Sequence, residues 1–342
     1  MILEQAELRD SARRLIGRLA KEGADEAWRA IVEAGWPALT TPESFGGLEQ
    51  SLEAACWLYQ ELGRALLPVP LLPSLLAIEV LGACAQSAAR DTWIERVARG
   101  EGIAMSLLDP TTVNAESGVL PAVLSADRAS HALFVSAADP MVALVALDGT
   151  AGRAASRPTW DTTRALSDVR VPGPMPGDGS IIARGATAAS ACAALSTHLH
   201  FAIAADSIGA AAALLEQTVE HLKTRRQFDR PLASFQALKH CCADLKVTIQ
   251  AAEALLADHL SRLEGAPWGE RLALARAAKS IASSAFREVA EEAMQLYGGM
   301  SMSAEHNCHL FLKRALLNEQ LASQNDACDL AVATMSTRST PE

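Results

Sequence analysis

Three apolar series constrain this chain more than any other feature. Ile208, Ala212, Leu215, Val219 and Leu222 recur at spacings of three and four residues. So do Leu238, Cys242, Leu245, Ile249, Ala252 and Leu256, and then Leu274, Ala278, Ile281, Ala285, Val289, Ala293 and Leu296. That period places each series along one side of a helix, and a one-sided helix folds only by burying that side against another. Gly265-Ala266-Pro267 separates the second series from the third, because proline cannot continue a helix. Residues 187–335 therefore read as a C-terminal four-helix bundle, and the polar segment 336–342 as a tail expected to fray.

The first part, residues 1–102, also reads as helical. Amphipathic or apolar runs cover Ala6–Ala20, Asp25–Ala34, Leu52–Leu67, Leu71–Ala85 and Thr92–Arg99. Gly35-Trp36-Pro37 and Pro68-Val69-Pro70 break them. Residues 103–186 differ: short apolar bursts at Ile103–Leu108, Ala132–Ala137 and Met141–Leu147 alternate with Asp, Gly, Pro and Thr, with further strands expected at Val169–Val171 and Ser180–Ile182. The expected fold is mostly α: an N-terminal helical domain, a small middle β-domain and the bundle.

The 342 residues suffice for two or three domains with a substantial core. A formal net charge of −10 argues against a nucleic-acid partner. No uninterrupted run of 18 apolar residues was found and the N-terminus is charged, so neither a membrane span nor a secretory leader is expected. Seven cysteines in helical segments fit a reduced, cytoplasmic setting. His198-x-His200 and His240-Cys241-Cys242 lack the second pair that a zinc site needs, so no metal is expected.

Between the first two series lies EHLKTRRQFDRPLASFQALKH, residues 220–240. Arginine offers a planar fork to phosphate oxygens, phenylalanine a flat apolar face to a ring, and glutamine both donor and acceptor at a polar edge. Such an elbow can grip a dinucleotide. Its wording resembles the signature of the acyl-CoA dehydrogenase family. Three other stretches carry the same resemblance in the same order. Ala34-Gly35-Trp36, Pro42 to Gly47 and Glu61 to Arg64 come first; Thr159-Trp160-Asp161 through Asp168-Val169-Arg170 follow. Last come Gln295-Leu296-Tyr297-Gly298-Gly299, Glu305-His306 and Leu312 to Ala315.

The resemblance implies an FAD-dependent oxidoreductase that desaturates an acyl-CoA thioester and passes electrons to an electron-transfer flavoprotein. It implies that Arg225, Phe228, Gln236, Gln295, Gly298 and Gly299 contact FAD, with the elbow reaching across a subunit interface. Family members carry the catalytic carboxylate at one of two places. Here those places hold Gln320-Leu321-Ala322-Ser323 and Thr197-His198-Leu199-His200. Glu319 and Asp206 are the nearest weak candidates for a base. The loop and strand that hold the flavin ring in the family are replaced by Ser106-Leu107-Leu108-Asp109-Pro110-Thr111-Thr112 and by Leu133-Phe134-Val135-Ser136.

The donated half of a flavin site is thus kept while the ring-holding half and the base are lost. This resembles the smaller subunits of heterotetrameric acyl-CoA dehydrogenases of bacterial steroid side-chain degradation. The expected partner is a homologous subunit carrying the catalytic Glu. The alternatives are a self-sufficient dehydrogenase with an atypically placed base and a non-catalytic scaffold.

Overall fold

A computed structural model of the chain describes residues 5–113, 115–149, 152–171 and 181–338. Five helices come first: α1 Gln5–Leu19, α2 Ala24–Glu33, α3 Leu52–Ala65, α4 Leu71–Ala83 and α5 Ala88–Ala98. Ser51 and Ser87 cap α3 and α5, each accepting from the backbone N–H three residues on. Gly35 follows α2 with φ +76°, a conformation that costs glycine little.

Seven strands follow: β1 Ile103–Ser106, β2 Val119–Leu124, β3 His131–Ser136, β4 Met141–Ala146, β5 Arg153–Arg157, β6 Leu166–Arg170 and β7 Ile181–Arg184. They form one sheet in the order β5-β6-β2-β1-β3-β4-β7, in which only β1 and β3 pair in parallel. Both faces are covered. Along β3, Leu133 and Val135 join the main core, whereas Ala132 and Phe134 belong to a second cluster with Val123, Met141 and Val145. That is the two-residue period of a strand with two dry faces. β2 and β5 were not anticipated. β2 carries Pro121 and an irregular register between Leu120 and Val123, and β5 is an exposed edge strand without apolar alternation. Of the strand expected at Ser180–Ile182, Ser180 lies outside the described residues.

The bundle comprises α6 Gly185–Thr224, α7 Gln236–Ser261, α8 Trp268–Tyr297 and α9 Cys308–Gln320, with a further helix, α10 Asn325–Arg338. α10 runs into the segment expected to fray; residues 339–342 lie outside the described residues. By length and composition α6 is long and apolar enough to cross a membrane, yet 94% of its most apolar window is buried inside the protein. It is the central post of the bundle, apolar around most of its surface because neighbouring helices and the sheet cover it. One sequence reading needs correction. The buried side of α8 carries Ala275, Ala278, Lys279, Ala282, Phe286 and Val289, whereas Ile281 is 49% exposed.

α3 crosses α6 so closely that both helices need glycine at the contact. A Cβ on Gly209 would overlap the carbonyl oxygen of Gln60, and a Cβ on Gly63 that of Asp206. Gly209→Ala must push the helices apart or distort one of them. Overpacking of this kind costs about 1–3 kcal/mol, so chemical denaturation should show a lower midpoint with an unchanged slope.

Candidate functional site

The first motif forms a hairpin between α6 and α7. The Arg225 backbone N–H still donates to His221 O (2.8 Å), and the Arg225 carbonyl accepts from Leu232 N–H (2.9 Å). Two short strands, β8 Arg226–Gln227 and β9 Arg230–Pro231, pair across Phe228-Asp229. Phe228 and Asp229 have φ of +52° and +62°, the geometry of a tight primed turn. This lifts Phe228 clear of the surface, 83% exposed.

The arginines of the hairpin are not equivalent. Arg226 Nη2 folds back to donate to Asp229 O (2.9 Å). The Arg230 guanidinium lies 3.9 Å from the centre of the Phe235 ring, and Phe235 in turn meets Phe228 edge-on. Both arginines therefore build the elbow. Arg225 is exposed, and among the described residues no side-chain partner engages its guanidinium. It is the hairpin arginine available to an anion.

The second motif meets the first at one end of the bundle. The His221 ring, one turn before Arg225, is 4.5 Å from that of Tyr297, and Tyr297 is 4.3 Å from His306. Tyr297 ends α8. Gly298 follows with φ +63°, and no atom lies within 4 Å of where a Cβ on Gly298 or Gly299 would stand. Gln236 and Gln295 are exposed in the first turn of α7 and the last turn of α8. Bare glycine backbone, a free arginine and a protruding phenyl ring fit one end of a dinucleotide.

The interior seam between sheet and bundle has the opposite character. The hydroxyls that face it are satisfied by this chain itself. Ser106 Oγ donates to Pro121 O (2.5 Å) and Ser136 Oγ to Val113 O (3.0 Å). Asp109 is buried, accepting from Thr111 N–H, Ser196 Oγ and Arg276 Nη2 at 2.9, 3.1 and 3.1 Å. Ala322, with φ +63°, donates its backbone N–H to Leu107 O (2.8 Å). These contacts tie the strand that should cradle a flavin ring to α6, α8 and the segment after α9. No donor for a flavin ring is left free among them, so this half does not fit the group that the elbow fits.

The two positions where a carboxylate was sought lie side by side. His200 Nδ1 is 2.6 Å from Ser196 O, so that nitrogen carries the proton, and Nε2 accepts from Ser323 Oγ at 2.9 Å. Burial pushes His200 down to about 4. Lys279 is fully buried, and its Nζ donates to Glu319 O (2.9 Å), Asn325 Oδ1 (2.8 Å) and Ser323 O, closing the C-terminus of α9. Burial lowers it to about 8. Glu319 itself pairs with Arg287 on α8, at 3.2 Å.

Asp206 is held more firmly still. Arg164 Nη2 and Arg314 Nη1 each approach its carboxylate to 3.0 Å, and Asn318 Nδ2 to 2.8 Å. Arg314 also pairs with the buried Asp161 at 2.8 Å. Both weak base candidates are therefore arginine-bound. Sequence reasoning missed Asp109–Arg276, Lys279 and Arg164. For Arg276 and Lys279 the signal was a charged residue within the helical period of α8; Asp109 and Arg164 lie outside helices and gave none. Among the described residues no group of three or more His, Cys, Asp or Glu could hold a metal.

Residues 3–101 match the acyl-CoA dehydrogenase N-terminal domain and residues 190–322 the C-terminal domain. The acyl-CoA dehydrogenase IpdE2 of Mycobacterium tuberculosis is 38% identical over 87% of this chain and 83% of its own length. The ChsE4–ChsE5 complex of Mycobacterium tuberculosis superposes with a TM-score of 0.84 at 21% identity, covering 100% of this chain and 99% of the matched one. A variant of the Tcur3481–Tcur3483 steroid ACAD gives 0.84 at 22%, covering 97% of each chain.

Proposed function

The chain belongs to the acyl-CoA dehydrogenase family, and from that premise we propose that it is the elbow-donating subunit of a hetero-oligomeric dehydrogenase. FAD, when bound, accepts the hydride that leaves the β-carbon of an acyl-CoA. Arg225 binds a phosphate of that FAD, Phe228 covers a ring, and the Gly298-Gly299 backbone, with Gln236 and Gln295 beside it, closes on the same end. The isoalloxazine, the thioester and the base belong to a homologous partner that carries the catalytic Glu. An electron-transfer flavoprotein is the proposed electron acceptor of the complex.

One contrast carries this reading. The outer elbow offers an unpaired Arg225, while the interior seam is stitched by Asp109–Arg276 and Ala322–Leu107, and among the described residues both base candidates are paired with arginine. The two weak candidates, Glu319 and Asp206, neutralise arginines, which argues against a self-sufficient enzyme. A steroid-derived acyl-CoA is the proposed substrate class, supported by the likeness to a steroid ACAD.

The test is a visible spectrum of this chain purified alone and co-purified with a homologous chain bearing the Glu. The chain alone should be colourless. The complex should be yellow, with one flavin per pair of unlike chains, and should desaturate an acyl-CoA. A yellow, active preparation of this chain alone would overturn the proposal.

A further inference from the structure

Arg225 is one donor group, and a diphosphate offers oxygens for several. A second unpaired donor stands on the neighbouring motif. After Tyr297 the chain makes one tight turn, Gly298–Met302, in which Ser301 Oγ donates to Gly298 O (2.7 Å). The next turns follow at once. Met300 O accepts from Ser303 N–H, and Ser303 O from His306 N–H, each at 3.1 Å. The chain from the bare glycines to His306 is thus braced by bonds of its own.

His306 is pinned in two ways. Its ring lies 4.3 Å from that of Tyr297, which also meets His221 at 4.5 Å. Its Nδ1 is 3.1 Å from the backbone nitrogen of Cys308, the first residue of α9. A backbone N–H can only donate, so Nδ1 accepts and the ring proton sits on Nε2. The residue is half-buried, and among the described residues no acceptor engages that Nε2–H.

The surroundings favour an anion. His221 lies one turn before Arg225 on α6, and residues four apart share a helix face. Burial, and after it the charges of His306 and Arg225, hold His221 below the ordinary imidazole range. His306 and Arg225 therefore act on one spot from two motifs. α9 begins two residues beyond His306, and Asn307 gives it no side-chain cap. The N–H groups that open a helix add to the same sign. The one acid between Gly298 and Cys308 is Glu305, which is exposed.

On the elbow reading given above, on which this inference rests, we propose that His306 is a second phosphate donor: its Nε2–H binds the FAD diphosphate beside Arg225, with the Tyr297 and His221 rings holding it in place. The glycines contribute only backbone, whereas His306 contributes a side-chain donor of fixed tautomer. The ring stack also sets the spacing between the two turns that carry the donors. His306 is a binding residue, and its imidazole serves two partners at once, Cys308 N–H through Nδ1 and phosphate through Nε2.

The test separates the two ring nitrogens. An asparagine amide stands near the place of Nδ1, a glutamine amide near that of Nε2. His306→Asn keeps the acceptor for Cys308 N–H and removes the outer donor; His306→Gln does the reverse. In the complex of unlike chains, FAD affinity is read from flavin fluorescence on titration. It should fall roughly tenfold in His306→Asn and stay near the wild-type value in His306→Gln. Circular dichroism and assembly on gel filtration should be unchanged in both. If the imidazole only caps α9, the order of the two variants reverses and the proposal falls. It falls equally if both variants bind FAD as the wild type does, or if both lose it to the same extent. Arg225→Ala is measured alongside. Flavin lost in Arg225→Ala but kept in His306→Asn overturns this inference and leaves the elbow standing. Flavin kept in Arg225→Ala overturns the elbow reading and this inference with it.

Discussion

Arg314→Met should cost the fold about 3–5 kcal/mol, more than any exposed substitution in this chain. The reason is what stays behind. Arg314 is buried and ties Asp161, in the segment before β6, to Asp206 on α6, and donates as well to Thr163. Its removal leaves Asp161 and Asp206 with Arg164 alone, among the described residues, as a buried counter-charge nearby. Methionine fills much of the volume, so a large loss would be electrostatic and not a cavity effect. Urea titration at neutral pH measures it, and a loss under 1 kcal/mol would sink the argument.

The same network sets an acid limit. Burial alone would raise the Asp206 pKa, but the Arg164 and Arg314 charges and the Asn318 amide outweigh it and hold it below its ordinary 3.8. The folded state therefore binds a proton there less readily than the unfolded chain. That contribution is complete above about pH 4 and is lost as the pH falls through the lowered value. The wild-type protein should lose stability steeply below pH 4, and Asp206→Asn should be flatter over that range, though weaker at neutral pH.

Arg225→Ala should strip flavin from the complex of unlike chains without dissociating it. A charge-assisted hydrogen bond to phosphate is worth about 1.5–3 kcal/mol, a factor of about ten to a hundred in affinity. Arg226→Ala makes the internal control, because that guanidinium is turned onto Asp229 O. Flavin absorbance per complex after gel filtration should fall sharply in the first variant and stay near the wild-type value in the second. A fully loaded Arg225→Ala complex would favour a scaffold that keeps the fold for assembly alone.

Much of this architecture was legible because helices announce themselves locally. The α7 series Leu245, Ile249, Ala252 and Leu256 is buried as its spacing demands. α8 shows where spacing fails: Ile281 faces outward while Lys279 is buried, since three backbone and amide acceptors await its ammonium. Those acceptors come from residues 319–325, which a local period cannot see. Asp109 and Arg276 likewise meet across 167 positions. The elbow was readable as a set of residues, but not its division of labour, which depends on how Phe228 and Asp229 turn the chain. The missing carboxylate was found by counting, whereas the His200–Ser323 pair in its place needed coordinates.

The Ala322–Leu107 bond joins main chain to main chain. Proline at 322 apart, which would remove the donor, no exchange of side chains unpicks this join. Restoring an acid at position 322 would place a carboxylate on a residue with φ +63° whose own N–H is already taken. In evolutionary terms, a join made by main chain alone works as a ratchet.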